Sequence, residues 1–90
     1  MGAADFMIGP PSEQVKQLET LARAEKETWF THENMTRIVL NGTAEQKRQL
    51  NRADALYRNI ELSLRFNQAR RAAKYVAGYR VLCRQIFSRE

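Results

Sequence analysis

Two side chains of this sequence, Cys83 and His32, have chemistry suited to catalysis or metal binding. A thiol becomes a nucleophile or a metal ligand when a basic group or further ligands stand beside it. The chain contains one Cys and one His, far apart in sequence, with no ligand spacing and no Gly-rich phosphate loop. We therefore interpret Cys83 as a small apolar core residue. We predict no enzyme activity, no catalytic residue, no metal, no cofactor and no small-molecule substrate.

The remaining chemistry is electrostatic. From Arg65 to Arg89 the chain has seven Lys or Arg residues and no Asp or Glu. Residues 1–40 carry four basic and six acidic side chains (net −2), whereas residues 41–90 carry eleven and four (net +7). This asymmetry favours an acidic partner for the second half of the chain, such as a nucleic acid, a membrane surface or an acidic protein. The candidate polyanion-binding residues are Arg65, Arg70, Arg71, Lys74, Arg80 and Arg84.

Length and composition indicate one small domain. A chain of 90 residues buries a marginal core, and a single Cys leaves no disulfide to reinforce it. The sequence has no apolar run of about 18 residues that would span a membrane. The start, MGAADFMIGPP, lacks the basic and apolar regions of a signal peptide. We therefore expect a cytoplasmic protein or a virion component.

Before position 44 the pattern predicts an arm and one long helix. Pro10 and Pro11 are breakers, so residues 1–11 form an extended apolar arm. Ser12 is a good N-cap, and a helical apolar spacing from residue 12 to residue 40 predicts the first helix. Thr28 and Thr31 weaken helix propensity around Trp29, which allows a local break there.

The segment LNGTAEQ predicts a tight reversal of the chain. Asn41 and Gly42 suit the left-handed conformation that ends a helix, and Thr43 with Gln46 forms a capping box that starts the next one. We therefore expect an antiparallel helical hairpin that turns at residues 41–43. The second helix is predicted over residues 44–88, with a break near residues 66–68 or at Gly78.

The apolar stripe at the end of the second helix needs a cover. The first helix is about 42 Å long and an unbroken second helix about 68 Å, so the first covers only half of it. A third helix folding back, a second copy of the chain or another protein would bury the rest, because a monomer rarely leaves such a patch in water. The predicted partner-binding residues are Phe6, Met7, Ile8, Val76, Tyr79, Cys83, Ile86 and Phe87.

Together these patterns predict an all-α fold: an arm, an antiparallel helical hairpin and an extended or bent C-terminal helix. The predicted function is non-catalytic docking in a larger assembly, through self-association or partner binding, as in a virion or a multiprotein machine. A small basic nucleic-acid-binding protein is one alternative. The hairpin plan is also similar to that of the small co-chaperones of type III secretion, which implies a co-chaperone role as a second alternative.

Overall fold

The computed structural model describes residues 11–88, which form four helices. Helix α1 spans Pro11–Trp29, α2 spans His32–Asn41, α3 spans Ala44–Arg65 and α4 spans Ala69–Phe87. The all-α prediction is confirmed, and α3 and α4 pack as a helical hairpin. Of the predicted arm, only Pro11 lies within the described residues, where it begins α1.

The predicted helix over residues 12–40 is two helices, because the chain breaks between Trp29 and His32. Thr31 is the N-cap of α2, and its hydroxyl accepts a hydrogen bond from the Asn34 amide N–H at 3.1 Å. The Asn34 side chain donates to the carbonyl of Trp29 at 2.8 Å, which satisfies a backbone oxygen at the end of α1. The break therefore lies where the threonines weaken helix propensity.

The turn at residues 41–43 has the predicted capping box but a different backbone. The Thr43 hydroxyl accepts from the Gln46 N–H at 3.0 Å, and the Gln46 side chain accepts from the Thr43 N–H at 2.8 Å. The left-handed expectation for Gly42 is wrong, since its φ is −74° and its ψ is 155°. Glycine is required there for space, because a Cβ would lie 2.5 Å from the Ile38 carbonyl oxygen.

The left-handed residue lies instead between α3 and α4. Asn67 has a φ of 58°, the one positive value outside glycine in residues 11–88. The Gln68 N–H donates to the Ser63 carbonyl at 2.8 Å and the Asn67 N–H donates to the Leu64 carbonyl at 3.0 Å, which is a Schellman motif. The chain therefore folds back at residues 66–68, whereas Gly78 lies inside α4.

Folding back makes α4 the most buried helix of the molecule. The longest dimension of the structure is 44 Å, well short of the 68 Å expected for one continuous second helix. Helix α1 runs antiparallel to α3: Val15 and Arg65 line the same groove between them, and the Lys26 ammonium lies 4.5 Å from the centre of the Tyr57 ring. Nine α4 residues are buried in the core: Ala69, Ala72, Ala73, Val76, Tyr79, Leu82, Cys83, Ile86 and Phe87.

Candidate functional site

The apolar stripe that was predicted to bind a partner is covered by the chain itself. Trp29 stacks on Phe87 with ring centroids 6.2 Å apart, and Phe30 meets Phe87 edge to face at 5.0 Å. Phe30 also stacks on Tyr79 at 6.2 Å. Of the three covers considered, a third helix that folds back is the one present. These five stripe residues are therefore core residues and not an exposed docking surface: Val76, Tyr79, Cys83, Ile86 and Phe87.

The predicted contacts of the arm, Phe6, Met7 and Ile8, lie outside the described residues.

Cys83 is placed as an inert thiol. Its side chain is fully buried, and burial raises its pKa to about 11. Burial also raises the pKa of the Tyr79 hydroxyl, and the adjacent Cys83 thiol adds to that rise. At neutral pH the thiol is protonated and out of contact with solvent, so it is not poised for nucleophilic attack.

His32 is exposed at the first position of α2. Within residues 11–88, no three His, Cys, Asp or Glu side chains lie close enough together to hold a metal ion.

The outer side of α4 carries unpaired positive charge. Arg70, Arg71, Lys74 and Arg84 are all exposed, and none has an ion pair within the part of the chain that the structure describes. We call these four residues the basic face. Helix α4 contains no Asp or Glu, so nothing on the helix itself neutralises them.

The other two predicted polyanion-binding residues lie apart from the basic face. Arg80 is half exposed and its guanidinium lies 3.5 Å from the Glu25 carboxylate of α1. Arg65 ends α3 and lines a groove between α1 and α3, where Glu19 and Glu61 also lie. Both side chains have acidic neighbours, which weakens their attraction for an external anion.

Beside the basic face, the end of the α3–α4 hairpin exposes apolar and aromatic surface. Phe66 is 67% exposed and Leu62 is 49% exposed, and both line a depression of about 240 Å³ together with Tyr75. We call it the aromatic depression; its other lining residues are Asn59, Ser63, Gln68 and Arg71. Sequence reasoning missed it, although Phe66 stands at the phase shift where both apolar stripes are interrupted.

The groove between α1 and α3 has a volume of about 350 Å³. Its apolar lining residues are Val15, Ala22, Tyr57, Ile60 and Leu64, and its charged lining residues are Glu19, Arg23, Glu61 and Arg65. The charges balance, so this groove, unlike the basic face, has no preference for an anion.

Comparisons with known proteins identify no relative: the chain matches no protein-family model, no curated protein and no solved structure. None of the helices in residues 11–88 is long and apolar enough to cross a membrane. The functional interpretation therefore depends on the geometry of the exposed surfaces.

Proposed function

We propose that the protein is a non-catalytic binding subunit of a larger assembly, such as a virion or a multiprotein machine. It docks on an acidic surface through the basic face of α4. One observation carries this proposal: α4 buries its apolar side within the chain and has on its outer side four exposed cations that form no ion pair within residues 11–88. Cations without partners repel one another, so their grouping costs stability that a bound anion would recover.

The test compares two sets of three substitutions with equal loss of charge. The first removes charge from the basic face through Arg70→Gln, Arg71→Gln and Lys74→Gln. The matched control changes three exposed cations elsewhere, through Lys16→Gln, Lys47→Gln and Arg52→Gln. The measurement is the salt concentration that elutes each protein from heparin resin, which serves as a general polyanion.

We expect the basic-face variant to elute at distinctly lower salt than the control variant, because fewer clustered contacts release fewer counterions. Equal elution of the two variants would contradict the proposal, since net charge alone would then account for binding.

The N-terminal arm is a proposed second contact. Phe6, Met7 and Ile8 are consecutive apolar residues. Contact with another surface would remove their side chains from water, which is favourable. Replacing all three with Ser should weaken association with the assembly while leaving retention on heparin unchanged. A loss of heparin retention would instead make the arm part of the polyanion site.

A helical-hairpin co-chaperone is the second candidate function, and the groove between α1 and α3 favours it. A co-chaperone needs an open apolar surface for a client helix, and the half-buried side chains of Val15 and Leu64 line this groove. The change Leu64→Lys would abolish client binding in that case, whereas it would leave the basic face intact.

A further inference from the structure

The aromatic depression adjoins the basic face, and the two share Arg71. The stretch from Leu62 to Arg89 contains no Asp or Glu, so any anion at this end of the hairpin meets only positive charge on that stretch. A polyanion that also carries flat apolar groups would use both surfaces at once.

We propose that this end of the α3–α4 hairpin binds single-stranded nucleic acid. Bases stack on Phe66 and Tyr75, and the phosphates between them are held by Arg71 and by the neighbouring Arg70 and Lys74. This inference depends on the proposed function, because it assigns a ligand to the basic face.

The exposure of Phe66 is the first observation that favours a single strand. A Phe side chain with 67% of its surface in water contributes little to the core. It stands at the helix end, next to Asn67 with its left-handed backbone, where an aromatic ring can be reached from outside the hairpin. Unpaired bases offer stacking faces to such a ring, whereas a duplex keeps its bases stacked on one another.

The polar lining of the depression is the second observation. Asn59 and Gln68 are exposed, and each carries an amide with donors and acceptors. Amides pair with the edges of bases, and unpaired bases present those edges freely. An apolar peptide helix would instead require a continuous apolar floor, which Asn59, Ser63 and Gln68 interrupt.

Three cations determine the expected affinity for a single strand and the salt dependence of that binding. If Arg70, Arg71 and Lys74 each neutralise one phosphate of a single strand, the logarithm of the binding constant falls with the logarithm of salt with a slope of about −2. Binding should therefore be measurable at low salt and lost by about 500 mM salt.

The experiment measures fluorescence anisotropy of a labelled 20-nucleotide oligo-dT with the full chain at 50, 150 and 500 mM salt. A duplex of mixed sequence and a labelled polyglutamate peptide are the two comparison ligands. Four proteins are used: the native sequence, Phe66→Ala, Arg71→Gln and the control Leu40→Ala, which changes an apolar side chain that is 72% exposed elsewhere. Circular dichroism verifies that each variant is folded.

We expect the single strand to bind more tightly than the duplex or the peptide. Loss of one stacking ring should weaken binding by roughly 5- to 100-fold in Phe66→Ala. Arg71→Gln should reduce the salt slope by about 0.7. Leu40→Ala should bind as the native chain does.

Three outcomes would overturn the inference: equal binding by Phe66→Ala and the native chain, tighter binding of the duplex, or no binding of the single strand at 50 mM salt. If polyglutamate binds in its place and Arg71→Gln weakens that binding, the ligand class is wrong and the proposed docking through the basic face stands. If no anionic ligand binds at 50 mM salt, both proposals fail together.

Discussion

Glu25 of α1 and Arg80 of α4 form the one ion pair that joins two different helices within residues 11–88. The Arg80 guanidinium lies 3.5 Å from one carboxylate oxygen of Glu25. The other oxygen accepts a hydrogen bond from the Trp29 indole N–H at 2.8 Å. Glu25 is only 17% exposed, so this carboxylate, which interrupts the apolar spacing of α1, holds two groups of the helix interface together.

The substitution Glu25→Ala should therefore lower the free energy of unfolding by about 1–3 kcal/mol, because the indole N–H loses its charged acceptor. Arg80→Gln should cost less, about 0–1 kcal/mol, since Arg80 is half exposed and solvent screens its charge. Urea denaturation of both single variants and the double variant would give the coupling between them. A cost of Arg80→Gln equal to that of Glu25→Ala would show that the ion pair, and not the indole hydrogen bond, dominates.

Gly42 and Gly78 should respond oppositely to replacement by Ala. A Cβ at position 42 would lie 2.5 Å from the Ile38 carbonyl oxygen, whereas one at position 78 would meet only Leu56 at 3.7 Å. We expect Gly42→Ala to destabilise the protein by about 1–3 kcal/mol through steric overlap. Gly78→Ala should stabilise it by up to about 1 kcal/mol, because Ala is the better helix former. Thermal unfolding of the two variants measures both effects. If Gly42→Ala stabilises the protein instead, the close approach of residue 42 to the Ile38 carbonyl oxygen is wrong.

Asn67 should tolerate Gly but not a β-branched residue. Its φ of 58° is accessible to Gly without a steric penalty, whereas Val is strained in that region. Asn67→Gly should leave the melting temperature unchanged or raise it slightly, and Asn67→Val should lower the free energy of unfolding by about 1–3 kcal/mol. If Asn67→Val has the same melting temperature as the native chain, the backbone at the end of α3 does not depend on a left-handed residue.

The protein should lose stability between about pH 9 and pH 11. The pKa of Cys83 is raised from 9.0 to about 11 in the folded chain, so an unfolded chain ionises first as the pH rises. The stabilising contribution of the protonated thiol is therefore complete below pH 9 and declines as the pH rises through the folded pKa. The loss should be on the order of 2 kcal/mol.

Urea midpoints from pH 8 to pH 10 would measure the first part of this loss, before the buried Tyr79 hydroxyl adds to it at higher pH. Cys83→Ala is the control that should flatten the profile over this range. The same burial predicts that Ellman's reagent reacts with native Cys83 only as fast as the chain opens. Immediate reaction in native buffer would mean that the thiol is accessible and that the raised pKa is wrong.

Local signals in the sequence predicted local structure well. The capping box of Thr43 and Gln46 depends on neighbours within a few residues, and it is present. Of the two possible breaks in the second helix, near residues 66–68 or at Gly78, the structure has the one at residues 66–68. The left-handed conformation expected at Asn41 and Gly42 is present at neither residue. Glycine is needed at position 42 because Ile38 approaches it closely, and not because of the backbone angle. No sequence pattern as specific as the capping box predicted a left-handed backbone at Asn67, because Asn occurs in many backbone conformations.

The candidate site was predicted in part. All six basic residues are exposed, as a solvated helix face requires, but Arg80 is paired with Glu25 across the helix interface. Phe66 and Leu62 were not identified, because a single apolar residue at a helix end can be either buried or exposed. The predicted contact residues Val76 and Ile86 are buried in the core.

The sequence by itself determined that the chain is helical, that a capping box starts α3, which sides of the helices are apolar, and that the second half of the chain is basic. These properties follow from spacing, caps and composition, which act over a few residues. Only the tertiary structure decided what covers the apolar side of α4. An amphipathic stripe specifies that something apolar must pack on it, and the stripe alone does not distinguish α1 from a second protein. The packing of Trp29 and Phe30 on Phe87 made that choice. The basic face, the aromatic depression and the groove between α1 and α3 stay on the outside of the molecule.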